Sequence, residues 1–124
     1  MADPQEAIAL AEQPIEPALL ARLVAAWFGE MVKLVVDVRR QIVAVGGELH
    51  ADAEQLLLDH GSRQTDLWGA NYYPGRGSDG CLEYTALINI RPSQDNPSME
   101  IQDPGLRQQV QSIVFRLVGQ GGDL

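Results

Sequence analysis

The chain has 124 residues, of which 45% are hydrophobic and 21% are charged, and its formal charge at pH 7 is −8. This composition is typical of a soluble globular domain with a single core. The excess of carboxylates argues against nucleic acids and anionic membranes as partners, because binding to either needs a surplus of Lys and Arg. No apolar run approaches the roughly 20 residues of a membrane-spanning helix.

Cysteine usage and the first residues predict the compartment. Cys81 is the one cysteine, so an intrachain disulfide is excluded, and we expect a cytoplasmic protein. A reactive thiol needs a neighbouring His or a helix N-terminus to lower its pKa, and the sequence around Cys81 offers neither. The N-terminus lacks the basic segment of a signal peptide, so we expect none.

The N-terminal part predicts an arm followed by a helix. Residues 1–14 are predicted to form a loose arm, although Ile8 and Leu10 could add an edge strand to a sheet. Residues 15–28 carry apolar side chains at helical spacing, and Pro17 falls in the first turn, where its missing N–H is not needed. The sequence therefore predicts an amphipathic first helix.

After residue 30 the apolar residues alternate along the chain instead of following helical spacing. This part of the sequence predicts a hairpin, which is followed by a second helix. Alternating β-branched residues predict two strands within residues 31–46. Residues 50–59 are predicted to be helical, with Asp52 as the N-cap.

The same order then repeats. Residues 66–73 and 82–91 are predicted to form a second hairpin, because the second stretch alternates apolar and polar residues. The glycine-rich connection 74–80 is predicted to be a mobile loop. Asp103 as N-cap and Pro104 at the first helical position predict the start of the last helix.

The element order predicts an α+β fold. Two β-hairpin–helix units would form a four-stranded, mainly antiparallel sheet with helices on one face, plus the N-terminal helix. This single domain would span residues 15–118, and residues 119–124 would form a C-terminal tail.

Five segments carry a resemblance to a known family: Gly46–Glu54, Asp59–Gln64, Asp66–Gly69, Ile88–Gln94 and Ser98–Pro104. In order and spacing they resemble a small bacterial family known only as domain of unknown function 5674, over about residues 15–118. Where that family is expected to have a Gly-Asn-Arg type of turn, this chain has Asp95-Asn96-Pro97. The resemblance implies a bacterial cytosolic protein and supplies no activity, cofactor or catalytic residue.

Two clusters could support catalysis. Glu48, His50 and Asp52 are spaced two residues apart and have side chains that bind Zn²⁺, Mn²⁺ or Fe²⁺. In the competing interpretation, which we favour, Glu48 is a charge at the end of a strand, His50 is the first residue of a helix and Asp52 is its cap. We therefore predict no metal site. Ser62 and Asp66 could join a histidine in a hydrolase triad, but the Gly-x-Ser-x-Gly motif is absent.

The most polar stretch of the chain is the preferred candidate for binding. It lies between a predicted strand and the last helix, and its members are Asn89, Arg91, Gln94, Asn96, Ser98 and Glu100. If the two units share one sheet edge, Glu48, His50 and Asp52 would face this stretch, with Arg91 paired to a carboxylate such as Glu48. The alternative is that these side chains satisfy the backbone of their own connection.

We therefore expect a non-enzymatic domain without a cofactor, which binds a partner protein or a small ligand; a homodimer is compatible with this expectation. The alternative function is a small metal-dependent enzyme or hydrolase that uses Glu48, His50 and Asp52. Nucleic-acid binding is the least favoured class.

Overall fold

A computed structural model describes residues 8–124 of the chain. Its five strands are β1 (Ile8–Ala11), β2 (Val32–Asp37), β3 (Ile42–Gly46), β4 (Leu67–Tyr72) and β5 (Leu82–Glu83). Its helices are α1 (Pro17–Trp27), α2 (His50–Asp59), α3 (Gly77–Gly80) and α4 (Pro104–Leu117), with short 3-10 turns at 64–66, 87–89 and 92–94. The sheet order is β1-β3-β2-β4-β5, and every neighbouring pair is antiparallel. Within residues 8–124, no helix combines the length and apolarity needed to cross a membrane.

The sheet is covered on both faces, so the prediction of helices on one face is wrong. α1 and α4 pack on the face that carries Leu34 and Val36, whereas α2 packs on the face that carries Val35 and Ala44. A central strand buried on both sides needs apolar residues at consecutive positions. Residues 34–36 meet that requirement, and all three side chains are fully buried.

The sheet has five strands rather than four, because part of the predicted arm is ordered. Residues 8–11 pair antiparallel with β3, from Ile8 opposite Gly46 to Ala11 opposite Val43. Ala11 is buried in the main core, which explains why this segment pairs. Residues 1–7 of the predicted arm lie outside the described residues.

The predicted first hairpin and the three long helices are confirmed. The buried Asp37 carboxylate shapes the hairpin turn by accepting the backbone N–H groups of Arg39 and Arg40, both at 2.9 Å. Asp103 caps α4 as predicted and accepts the N–H of Gly105. Asp52 is not the N-cap of α2, which is residue 49; its carboxylate instead accepts the Leu49 N–H at 3.0 Å.

The predicted strand 82–91 is mostly wrong. Only Leu82 and Glu83 pair with β4, and the following residues form turns. The alternation of apolar residues does not match burial there, because Leu87 is 69% exposed whereas Asn89 is fully buried. The reason is the hydrogen bonding of Asn89, described below.

Backbone hydrogen bonds join the glycine-rich loop 74–80 to the C-terminal residues. The N–H groups of Gly75 and Gly77 both donate to the Gly121 carbonyl, at 3.1 and 2.9 Å. The Gly121 N–H donates to the buried Tyr72 hydroxyl at 2.9 Å. The loop therefore contains a short helix with a fixed packing partner, which contradicts the prediction of a mobile hairpin loop.

Gly121→Ala is expected to lower the free energy of unfolding by about 2 kcal/mol, because alanine is strained in the left-handed backbone conformation that Gly121 adopts. Gly121 has φ +81°, and a Cβ built there would lie 2.8 Å from Cys81 Cβ. Urea denaturation would measure the change. The matched control is Gly122→Ala, since nothing lies within 4 Å of a Cβ at Gly122. Equal stability of the two variants would contradict the packed tail.

Candidate ligand-binding site

A cavity of about 350 Å³ lies between the first turn of α2, the C-terminal end of β4 and the turn at 87–89. We call it the α2 cavity. It is lined by Lys33, Leu49, His50, Ala51, Asn71, Thr85, Ala86, Leu87, Ile88 and Met99. It is more enclosed than the depressions along α4, beside the C-terminus and after β1. Small-molecule sites in proteins measure about 300–1,000 Å³, so the size of this cavity suits a small ligand.

The walls of the α2 cavity are apolar and reach the surface. Leu49, Leu87 and Met99 are 55%, 69% and 40% exposed, respectively. Single exposed apolar residues are ordinary, but a group that surrounds a cavity marks an interaction site. The walls therefore offer an apolar ligand a surface that is already partly desolvated.

The floor of the cavity depends on a glycine within β4. A Cβ built on Gly69 would lie 2.6 Å from Ala86 Cβ and 3.1 Å from His50 Cδ2. The missing side chain lets α2 and the segment around Ala86 approach the sheet. An isolated glycine in a strand is the sequence signal for such an approach.

His50 is placed against the floor by its position at the start of α2. Its ring is 9% exposed, and Nε2 lies 2.9 Å from the Ala70 carbonyl oxygen, to which it donates in the neutral ring. Burial lowers the pKa of His50 below its usual 6.5, and Lys33 adds to the effect. The Ala70 carbonyl, Asn71 and Glu83 oppose it, because each favours the protonated ring. The effect of burial on the pKa is the largest of these, so the His50 ring favours its neutral form in the folded protein.

Asn71 is the second polar group of the floor and carries an unsatisfied acceptor. The side chain is 7% exposed, and its Nδ2 donates to Glu83 Oε1 at 2.7 Å. Its Oδ1 is closed to solvent and lacks a hydrogen bond of normal geometry, although Asn71 interacts with the His50 ring and favours the protonated form of that ring. An unpaired buried carbonyl costs about 1–3 kcal/mol. Sequence reasoning missed Asn71, although an Asn inside a predicted strand is unusual and is itself a signal.

The predicted binding residue Asn89 completes the edge of the sheet. Its Oδ1 accepts the Gly69 N–H at 2.8 Å, and its Nδ2 donates to the Gly69 carbonyl at 3.0 Å. The carboxamide thus takes the place of a strand partner for β4. Nδ2 also donates to the Met99 carbonyl, which fixes one wall of the α2 cavity.

Arg91 stabilises the other end of the same edge. Its guanidinium donates to the Gln64, Leu67 and Ile88 carbonyls and stacks on Trp68, 4.5 Å from the ring centroid. The carboxylate nearest to it is Glu54, with Nη2 and Oε2 4.0 Å apart, and not Glu48. Burial raises the pKa of Glu54, and Arg91 opposes that shift. Arg91 therefore organises the protein's own backbone.

Asn96 and Gln94, which were also predicted to bind a ligand, likewise use their side chains to bind the protein's own backbone. Asn96 Nδ2 donates to the Asn89, Ser98 and Glu100 carbonyls, and Gln94 Nε2 donates to the Thr65 carbonyl. The Glu100 carboxylate is exposed, with Oε2 3.9 Å from Nη2 of Arg107. These contacts support the interpretation in which the polar stretch satisfies its own connection.

The structure separates Glu48 from Arg91. Glu48 is exposed in the loop after Gly46, whereas Arg91 binds the Leu67 end of β4. Register across the sheet places Gly46 and Leu67 at opposite ends of the strands. Of all the predicted binding residues, His50 alone lines the α2 cavity. The prediction that Glu48 and Arg91 lie on one shared edge of the sheet is therefore wrong.

The two predicted catalytic clusters are not assembled. Among residues 8–124, no group of three or more His, Cys, Asp and Glu side chains could hold a metal ion, so Glu48, His50 and Asp52 do not form a ligand set. Ser62 donates to Asp37 at 2.7 Å, and Asp66 contacts Arg39 and Arg63. The imidazole rings of His50 and His60 bind the Ala70 and Leu56 carbonyls instead, and His60 is linked to Ser62 only through Arg40, which donates to the His60 carbonyl and to Ser62 Oγ.

The fold and the cavity define a protein of the α+β class, with an antiparallel sheet between helices and a small cavity beside strand β4. The chain belongs to the family described as Protein of unknown function (DUF5674), whose model matches residues 9–117. The resemblance seen in the five sequence segments is thereby confirmed. Comparison with curated proteins and with solved structures gave no match.

Arg91→Met is expected to lower the free energy of unfolding by about 3 kcal/mol, because it removes a buried charge partner of Glu54 and several backbone contacts. Chemical denaturation would measure the loss. Arg63→Met is the control, since the Arg63 side chain is 66% exposed and pairs only with Asp66 among the contacts described for it. A variant at position 91 that is as stable as the control would show that Arg91 is a surface ligand clamp instead.

His50 should make stability depend on pH. Because its folded pKa lies below 6.5, the unfolded chain takes up a proton that the folded chain resists. The contribution of His50 to the free energy of unfolding is therefore fully present above pH 6.5, and it is lost as the pH falls from 6.5 through the folded pKa. Denaturation curves between pH 8 and pH 5.5, in steps of about half a unit, should show this loss. His50→Gln should remove it, and His60→Gln serves as the exposed control.

Proposed function

We propose that this protein binds a small, mostly apolar molecule in the α2 cavity and does not transform it. The observation that carries the proposal is a cavity of about 350 Å³ that is bordered by the exposed apolar side chains of Leu49, Leu87 and Met99 and has His50 at its floor. Small-molecule sites share this plan, in which apolar walls supply affinity and a few placed polar groups supply orientation. The proposed function belongs to the predicted class of ligand-binding domains.

Binding is favoured over catalysis by the composition of the lining. The residues that line the α2 cavity include His50 and Lys33 but no Ser, Cys, Asp or Glu. A metal site needs such ligands beside the histidine. Thr85 and Lys33 are the lining residues that could act as nucleophiles, but the lining offers no carboxylate to orient a catalytic base for them. His50 therefore serves as a polar contact and a packing element of the floor.

Indole and its hydrocarbon analogue indene are suitable probes, because both are small, flat and uncharged. Each should shift the methyl NMR signals of Leu49, Ile88 and Met99, which line the cavity. Ala51→Trp should abolish these shifts by filling the entrance, since Ala51 is exposed and belongs to the lining.

The matched control is Ala25→Trp, which places the same ring on an exposed position of α1, the helix on the opposite face of the sheet. This variant should bind both probes like the unmodified protein. Cavity methyl signals that stay unmoved by saturating probe, or binding that survives Ala51→Trp, would contradict the proposed function.

A further inference from the structure

Resting on the proposed function, we infer that the ligand of the α2 cavity is an amphipathic carboxylic acid, which packs an apolar body against the cavity walls and pairs its carboxylate with the ammonium group of Lys33. Lys33 is the only lysine of the chain. Among residues 8–124, the lining of the cavity contains Lys33 but no carboxylate, whereas the whole chain has a formal charge of −8 at pH 7. The cavity is therefore a positively charged place on an acidic protein.

The register of the sheet places Lys33 beside the floor of the α2 cavity. Lys33 lies opposite Asn71 in the pairing of β2 with β4. Because side chains alternate along a strand, Lys33 is on the same face of the sheet as Val35, which is the face that α2 covers. The Lys33 side chain is half-buried and lines the cavity. A lysine can run its apolar stem along such walls while its charged tip stays near water.

The ammonium group of Lys33 has an aromatic neighbour and no protein counter-ion within the described part of the chain. Its Nζ lies 5.2 Å from the centroid of the Phe28 ring. None of the ion pairs found among residues 8–124 includes Lys33. A ring face attracts a cation but does not replace a carboxylate as an acceptor, so the N–H groups of Lys33 are left for a ligand or water.

The local field at the floor of the cavity has the sign that suits an anion. Lys33 and Glu83 both act on the His50 ring, and Lys33 has the larger effect on the pKa of that ring. Glu83 does not line the cavity, and its carboxylate accepts Asn71 Nδ2 at 2.7 Å. Glu83 is also exposed, so its charge is screened by solvent. A carboxylate in the cavity therefore meets more attraction from Lys33 than repulsion from Glu83.

The single cation and the apolar walls favour a ligand with one negative charge. Removing a carboxylate from water is costly unless it meets a counter-charge, and Lys33 supplies one positive charge. A phosphate monoester carries more negative charge than this lining can neutralise. Leu49, Leu87 and Met99 offer contact to the apolar body, within a cavity of about 350 Å³. The chemical class is thus a small monocarboxylic acid.

The experiment compares indole-3-carboxylate with indole-3-carboxamide, which have the same shape and differ in charge. Their dissociation constants are measured by NMR titration near neutral pH, with the methyl signals of the cavity as the readout. The unmodified protein should prefer the carboxylate about tenfold, the effect of one hydrogen bond between charged groups at a partly buried site.

Three variants test whether Lys33 causes this preference. Lys33→Met should lose it, and Lys33→Arg should keep it, because arginine restores the positive charge. Arg63→Met is the matched control, since it changes the net charge by the same amount at a side chain that is 66% exposed and does not line the cavity. It should keep the preference.

Acetylation of the unmodified protein, followed by mass spectrometry, gives a second readout, because Lys33 is the only lysine. Saturation with indole-3-carboxylate should slow the acetylation of Lys33 several-fold more than saturation with indole-3-carboxamide, since a paired ammonium holds its proton and is shielded from the reagent. The N-terminal amine is the internal control and should react at the same rate with either probe.

Equal affinities of the two probes for the unmodified protein, a preference that survives Lys33→Met, or equal protection of Lys33 would overturn the inference while the cavity still binds. Cavity methyl signals that stay unmoved by either probe, and by indole and indene, would overturn the proposed function as well.

Discussion

The paired hydrogen bonds between the Asn89 carboxamide and the backbone of Gly69 are the contact on which this side of the protein depends. Strand β4 has a backbone partner in β5 only at Asn71 and Tyr72, so its remaining outer edge needs donors and acceptors from elsewhere. A carboxamide offers both in the geometry of a peptide group, which allows one side chain to replace a strand. Asn89 is fully buried as a result, and the chain around it is drawn into turns instead of extending along the sheet.

The same contact builds the α2 cavity. Asn89 also binds the Met99 carbonyl, and Asn96 binds the Asn89 carbonyl, so the segment that forms the outer wall is anchored at several points. Rigid walls reduce the entropy that a ligand must lose on binding. In this protein, stability and the shape of the site are therefore coupled through the polar side chains of one connection.

Buried polar groups here fall into two sets with different consequences. Asn89, Asn96 and Arg91 have their hydrogen bonds met by backbone groups, which makes them structural residues that also specify a single conformation. At the floor of the cavity, Asn71 keeps an acceptor without a donor, beside a histidine that burial holds neutral. Because that acceptor has almost no accessible surface, the exposed apolar walls are what distinguish the cavity from the rest of the protein surface.

The sequence by itself determined the elements governed by local rules. The first hairpin, the long helices and the Asp103 cap depend on periodicity, β-branching and capping chemistry, which act between residues close in the chain. Tertiary structure decided the rest. Whether Ile8 and Leu10 pair, which face α2 covers, and whether residues 84–91 form a strand depend on partners distant in sequence. His50 was predicted as a site residue, whereas Asn71 was not, because only the pairing of β4 with β5 and the packing of α2 on β4 bring Asn71 beside His50.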